Sequence, residues 1–188
     1  GFATGGSTRM VLDDNSRISL SNNDSGTDNT VFGFLAGAAG MSGGTDNVLI
    51  GDYAGNALTS ADHCVAIGAD AMLVHTTGGN TIAIGSGAMA DTNAGSNSLS
   101  STDNVFIGLN SGGGTWEDEI SAVNVAIGSL TLSGALDSAS SHVAVGYGAL
   151  AAVTTGNQNT AVGSPSLWTL TTGDENTALG YVALQSTT

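Results

Sequence analysis

The sequence contains the stretch Asn159-Thr160-Ala161-Val162-Gly163, which returns seventeen residues later as Asn176-Thr177-Ala178-Leu179-Gly180. Related copies run back through the chain to Asn29-Thr30-Val31-Phe32-Gly33. Self-similarity at a short, regular period is typical of a solenoid, in which each copy forms one coil stacked on the next. The stretch therefore predicts the fold, and the remaining residues are spacer, cap or insertion around it.

The glycine that closes each copy marks the period of the repeat. These glycines are Gly33, Gly51, Gly68, Gly85, Gly108, Gly128, Gly146, Gly163 and Gly180. Most intervals are 17 or 18 residues long, and two longer intervals predict insertions near residues 91–102 and 113–123. The spacing predicts an all-β fold, a parallel β-solenoid (β-roll) of about nine coils with a period near 17 residues.

Three columns of residues describe the strand of each copy. The residues one and three positions before the glycine are mostly β-branched, and they alternate as residues on one face of a strand do. We therefore expect these two columns to point into the coil and form its core. The residue between them would then face outward, although it is never polar or charged.

The apolar outward column predicts an oligomer, because a strand that is apolar on both faces is usually buried on both faces. Its mostly small side chains imply close approach of a neighbouring chain. An exposed stripe of alanine is the alternative, since alanine is small enough to tolerate water. The predicted interface consists of Ala66, Ala83, Phe106, Ala126, Ala144, Ala161 and Ala178.

Two further columns complete the coil. Four positions before the glycine, Asn occupies six of nine copies, which predicts a ladder of stacked amides at one corner. Three and four positions after the glycine, a small residue is followed by Leu, Met or Gly, which predicts a second strand and a second sheet. Cys64, the only cysteine, falls in the Asn column and is expected to line a turn. The three histidines, His63, His75 and His142, are expected at turns or on the surface.

Residues 1–28 do not match the repeat. Two short strand-like runs, 9–12 and 17–20, flank the polar segment 13–16, which predicts a β-hairpin or a strand pair. We expect this region to be an N-terminal β stem or cap on a solenoid domain that spans residues 29–188. Because the chain starts without Met and its last coil shows no polar cap, we expect it to be part of a longer protein.

The charge excludes some classes of partner. The chain has sixteen acidic residues and two basic ones, so its net charge is −14. Such a surface repels phosphate backbones and anionic lipid, so we expect neither nucleic acid nor a membrane surface as a partner. No run approaches the ~20 apolar residues of a membrane-spanning helix, so we expect no membrane insertion.

The repeat resembles two related groups of proteins. Asn-Thr-Ala-Val-Gly-x-x-Ala-Leu followed by Thr-Thr-Gly is similar to the head of trimeric autotransporter adhesins, a left-handed parallel β-roll. The segment 143–150 with Thr154-Thr155-Gly156 is more similar to the repeat region of bacteriophage tail-fibre proteins, as is the longer period. The resemblance covers residues 29–188 well and residues 1–28 loosely.

This resemblance implies a homotrimer, intertwined or side by side, that forms a structural segment of a tail fibre in the virion. The implied role is attachment to the host cell surface. The implied partners are a host cell-surface glycan or protein receptor and other fibre or tail proteins. A bacterial trimeric surface adhesin, extracellular at the cell surface, is the alternative. A monomeric ice-binding solenoid would need a regular Thr array on its outward column, which here is mostly Ala.

A local site is expected at the two insertions, which belong to adjacent coils and should lie side by side. The second insertion places Trp116 beside Glu117, Asp118 and Glu119, a composition that suits stacking on a sugar. These four residues, together with Asp91 and Asp103 at the first insertion, form the predicted receptor- or glycan-binding site. In the alternative interpretation, Trp116 folds back onto its own coil.

A polysaccharide-degrading tailspike is a third interpretation. It needs two carboxylates about 5–5.5 Å or about 6.5–9.5 Å apart across a cleft, and residues 117–119 share one loop that holds such geometry poorly. The sequence has no nucleophile-elbow motif and no zinc-type His spacing, so we predict no catalytic residues and no enzyme activity. Thr-Asp-Asn turns at 27–29, 45–47 and 102–104 could offer oxygen ligands to Ca²⁺, but we expect plain turns, no metal and no cofactor.

Overall fold

The solenoid is built on a single sheet of nine parallel strands, each paired with the next strand along the chain. The computed structural model describes residues 2–4, 7–12, 18–19, 26–91 and 98–186. The strands are β4 (Thr30–Phe32), β5 (Val48–Ile50), β6 (Val65–Ile67), β7 (Ile82–Ile84), β8 (Val105–Ile107), β9 (Val125–Ile127), β10 (Val143–Val145), β11 (Thr160–Val162) and β12 (Thr177–Leu179). The predicted parallel β-solenoid is confirmed, with a mean period of about 18 residues over eight turns.

Every strand pair has the same register, so equivalent residues of successive copies stand beside each other. Ala144, for example, lies between Ala126 and Ala161. Hydrogen bonds between coils continue in the turns, as from the Gly55 N–H to the Ala71 carbonyl at 2.8 Å. Because neighbouring strands lie ~4.8 Å apart, the nine strands form a ladder about 38 Å long.

The side of the strand that points into the coil is the opposite of the predicted one. The middle residue is buried in eight of the nine strands and half-buried in β4, whereas the residues on either side are half-buried or exposed. The prediction that the middle column contacts a second chain was therefore wrong. These residues lie in the core of their own chain: Ala66, Ala83, Phe106, Ala126, Ala144, Ala161 and Ala178.

The narrowness of the coil explains this arrangement. In six copies a small Ala in the strand is combined with Leu or Met four positions after the glycine. In the other three copies the sizes are exchanged, giving the pairs Val31 and Gly37, Leu49 and Gly55, and Phe106 and Gly112. A Cβ on Gly55 would lie 2.7 Å from Leu49 Cδ2, and one on Gly112 would lie 2.6 Å from Phe106 Cδ1. The two columns therefore compete for one space inside the coil.

The second sheet predicted from the small-then-large pattern is not formed in the described part of the chain. The residue four positions after each closing glycine instead has a left-handed φ, such as 52° at Met72 and 53° at Leu150. This conformation interrupts a strand. The small and large residues therefore reach the core from a turn, opposite the single sheet.

The Asn ladder is confirmed. The Asn47 N–H donates to Asn29 Oδ1 at 2.9 Å, and Asn47 Nδ2 donates to the Ala61 carbonyl at 2.8 Å. Asn124 repeats the pattern with Asn104 Oδ1 and the Ala139 carbonyl. Each amide thus satisfies one backbone N–H and one carbonyl that burial would otherwise leave unpaired.

The N-terminal region forms the predicted antiparallel strand pair. Strand β2 (Ser7–Leu12) pairs with β3 (Ile18–Ser19), and β1 (Phe2–Thr4) pairs with β2. The polar segment between β2 and β3 lies outside the described residues. The role of this region as a stem or cap stays a prediction.

Exchanging the large and the small side chain of one coil, at Leu49 and Gly55, tests whether the two positions share one space in the core. Leu49→Ala is expected to cost about 2–5 kcal/mol through the cavity it leaves. Gly55→Met is expected to cost about 1–3 kcal/mol through overpacking against Leu49. The double variant recreates the Ala and Met combination of coils such as that of Ala66 and Met72, so it should be more stable than Leu49→Ala alone. Urea unfolding measures all three, and simple additivity of the two costs would contradict a shared space.

Candidate interaction surface

The residues on either side of the buried middle column form a stripe along one side of the solenoid. We call it the outward stripe, and it consists of the first and third residues of β4 to β12. Fifteen of its eighteen residues are Val, Ile, Leu or Phe, three are Thr, and none is charged. Its members are Thr30, Phe32, Val48, Ile50, Val65, Ile67, Ile82, Ile84, Val105, Ile107, Val125, Ile127, Val143, Val145, Thr160, Val162, Thr177 and Leu179.

The outward stripe faces solvent in the single chain. None of its residues is buried, and the exposed fraction reaches 41% at Ile127 in the middle of the sheet and 78% at Leu179 in the last strand. A sheet with one solvated face normally carries polar residues there. A contiguous exposed apolar patch larger than a few hundred Å² is a sign of an interaction site. The outward stripe is therefore the strongest candidate surface in the described residues.

Exposed aromatic rings lie beside the outward stripe near its two ends. They occupy the position after the closing glycine, and Phe34, Tyr147 and Tyr181 are each at least half exposed. The Phe34 ring meets Tyr53 edge-on at 5.7 Å between centroids, and the Tyr147 ring stacks on Trp168 at 6.1 Å. In a chain with only 5% aromatic residues, these rings enlarge the exposed apolar surface.

Trp116 is not available for stacking on a sugar, so the prediction of an exposed Trp was wrong. Its side chain is fully buried, and its Nε1–H donates to the Gly112 carbonyl at 2.9 Å. Its ring packs edge-on against Phe106 at 5.7 Å between centroids. The alternative interpretation, in which Trp116 folds back onto its coil, is confirmed. The missed signal is that Trp116 takes the place in the coil that Leu136 holds in the next copy, where both are buried.

Where the structure describes the first insertion, at Asp91, it lies beside the second insertion. The Trp116 N–H donates to the Asp91 carbonyl at 2.9 Å, and Thr115 Oγ1 donates to Asp91 Oδ2 at 2.6 Å. Residues 92–97 of the first insertion lie outside the described residues.

Four of the five acidic residues of the predicted site are exposed, and Asp91 is half-buried. Glu117, Asp118 and Glu119 are exposed, and the segment is tied to the next coil by the Glu117 N–H, which donates to the Leu136 carbonyl at 2.9 Å. Asp103 is also exposed, and its Oδ2 accepts a hydrogen bond from Thr102 Oγ1 at 2.8 Å. These exposed carboxylates can contact a partner.

The buried titratable groups lie elsewhere. Burial raises the pKa of the Cys64 thiol to about 11, so the thiol stays protonated, 3.4 Å from the Gly78 carbonyl. His75 and His142 are fully buried, so a surface position was wrong for both, whereas His63 is exposed. Within the described ranges, no three His, Cys, Asp or Glu side chains are grouped to hold a metal ion.

Comparison of the chain with protein-family models, curated proteins and solved structures finds no match. Among the residues that the structure describes, no helix is long and apolar enough to cross a membrane.

Removing the buried indole tests whether Trp116 belongs to the core. Trp116→Ala is expected to lower the free energy of unfolding by about 3–5 kcal/mol, because a fully buried ring leaves a large cavity. Glu119→Gln, three residues away and exposed, is the matched control and should change stability by less than about 0.5 kcal/mol. Urea unfolding of both variants gives the comparison, and a Trp116→Ala protein as stable as the control would refute the structural role.

Proposed function

We propose that this chain is a structural segment of a bacteriophage tail fibre, assembled as a homotrimer through the outward stripe and acting in attachment to the host cell surface. The observation that carries the proposal is an uncharged, apolar, solvent-facing stripe that runs the length of a nine-stranded solenoid. The outward stripe, rather than the middle column, is the surface proposed for contact between chains. The strand is apolar on both sides, and one side is already buried by its own chain.

Self-association explains the stripe better than contact with a chain of different chemistry. Each chain has a net charge of −14, so like chains repel each other wherever their acidic surfaces meet. The outward stripe carries no acidic residue, so contact between stripes leaves the carboxylates in water. All strands of the sheet run parallel with one register, so copies arranged about an axis along the solenoid would align residue by residue.

The number three and the setting in a virion come from the resemblance of the repeat to tail-fibre and trimeric adhesin sequences. A rod with a regular core suits a structural role, because each coil is held by its neighbours and length is added by repetition. The exposed carboxylates at residues 117–119 and the exposed rings beside the outward stripe are the surfaces offered to a host glycan or protein receptor.

Light scattering after size-exclusion chromatography tests the assembly. The wild-type mass is expected to be three times the 18.3 kDa of one chain. Ile84→Asp places a carboxylate in the middle of the outward stripe and should shift the mass toward one chain while the circular dichroism spectrum is retained. Ser60→Asp adds the same charge at an exposed turn residue outside the stripe and should leave the trimer intact. A wild-type protein that is monomeric at micromolar concentration would end the proposal.

Attachment is tested separately, with fluorescently labelled protein on a panel of bacterial strains. Binding to a subset of strains is expected for a host-attachment protein. The variant Glu117→Gln/Asp118→Asn/Glu119→Gln should weaken that binding if the second insertion contacts the receptor. The exposed pair Asp174→Asn/Glu175→Gln serves as the charge control. Equal binding by the two variants would exclude the insertion, and release of reducing sugar from the cells would instead favour a polysaccharide-degrading spike.

A further inference from the structure

His142 takes the place of an asparagine in the buried ladder. Its backbone N–H donates to Asn124 Oδ1 at 3.0 Å, as a ladder Asn would. Its ring Nδ1 lies 3.2 Å from the backbone nitrogen of Asn159, and its Nε2 lies 2.7 Å from the Gly156 carbonyl oxygen. Nδ1 must accept from an N–H and Nε2 must donate to a carbonyl. Both contacts can form only when the ring is neutral and carries its proton on Nε2.

His75 makes up for a second departure from the ladder. Cys64 stands in the Asn column, and its thiol reaches the Gly78 carbonyl only at 3.4 Å. Equivalent carbonyls in other coils accept from an amide Nδ2, as the Ala61 carbonyl does from Asn47. His75 supplies the missing strong donor, because its Nε2 lies 2.9 Å from the same Gly78 oxygen.

Within the described part of the chain, the other ring nitrogen of His75, Nδ1, is buried and has no hydrogen-bond partner. His75 is the seventh residue after the closing glycine of its copy, and in three other copies that position holds a buried apolar residue: Leu58, Val153 or Leu170. A second proton on this ring would be buried without an acceptor among the described residues.

We propose that His75 and His142 form an acid-sensitive lock in the solenoid, in which neutral rings hold two corners of the stack and protonation releases them. At His142, protonation places an N–H on Nδ1 directly against the backbone N–H of Asn159. At His75, it places an N–H and a positive charge in a fully buried site. At His142, the added proton removes a hydrogen bond to the next coil. At His75, the Nε2 contact with the Gly78 carbonyl lies within one coil and persists, and the buried charge destabilises that coil from inside.

The charges near the two rings do not remove this cost. Asp174 attracts a proton to His142, but burial is the larger influence and lowers the pKa of that ring. At His75 the titratable neighbour is Cys64, whose thiol is held protonated and uncharged, and the Asp62 carboxylate acts on that thiol. Burial lowers the pKa of His75 to about 4.

The direction of the pH dependence follows from these shifts. Above a pH of about 6.5, His is neutral in both the folded and the unfolded chain, so the two rings do not make the stability depend on pH there. Between a pH of about 6.5 and the lowered pKa values that the two histidines have in the folded chain, the unfolded chain binds protons that the folded chain does not. The stability therefore falls as the pH falls. For His75 alone, a folded pKa of about 4 implies an unfolding constant about 30-fold larger at pH 5 than at a pH of about 7.5.

The experiment compares urea unfolding from pH 7.5 to pH 4.5 in the wild type and in His75→Leu/His142→Asn. These replacements are the residues that other copies use at the same two positions, as in Leu170 and Asn159. The matched control is His63→Asn, which removes the exposed histidine. Protonation of the many carboxylates affects all three proteins, so the difference between them isolates the two buried rings.

Between pH 7.5 and pH 5, the wild type and His63→Asn are expected to lose stability relative to the double variant, by at least 30-fold in the unfolding constant. Nitrogen NMR should show both buried rings neutral with the proton on Nε2 at pH 7.5, and His75 still neutral at pH 6. A double variant with the same pH dependence as the wild type would overturn the proposal, and so would a protonated His75 at pH 6 or a proton on Nδ1 of His142 at pH 7.5. If the double variant unfolds too readily to compare, His142→Asn alone gives the same test at one corner.

Discussion

The rest of the structure depends on the width of the coil, which admits one large side chain at each level. Six copies place a small Ala in the strand and Leu or Met in the facing turn, and three copies exchange the sizes. The Val and Ile residues on either side therefore cannot enter and must face outward. One steric constraint thus accounts for both the alanine-rich core and the apolar outward stripe, and hence for the surface through which we propose the chains associate.

The corner of the coil has a matching polar constraint. Turns buried between stacked coils leave backbone groups that need partners, and an amide side chain offers a donor and an acceptor at once. Where the ladder departs from Asn, the replacement still bonds, as with the neutral ring of His142, or a second residue helps, as His75 does for Cys64. His142 can do this in only one protonation state, and a second proton on His75 would be a buried charge, so dependence on pH enters the fold at these two rings.

Much of the architecture could be predicted from the sequence. The period, the parallel strands, the Asn ladder and the N-terminal strand pair follow from spacing and residue type, and they are confirmed. The faces of the strand could not be assigned from alternation, because a strand that is apolar on both sides looks the same from either side. The exchange of sizes between Leu49 and Gly55, or Phe106 and Gly112, was the signal that could have decided it. The candidate site was predicted less well, since an insertion was assumed to expose its Trp.

The sequence by itself determined the repeat, because equal spacing requires equivalent residues to stack and the backbone hydrogen bonds then follow. It also determined that the strand residues of the outward stripe carry no charge. Only the tertiary structure decided which side of each strand is inside, that the segment after the glycine is a turn, and that Trp116, His75 and His142 are buried. These outcomes depend on the volume enclosed by a closed coil and on the partners available within it. Both are set by residues far apart in the repeat that meet only when the coil closes.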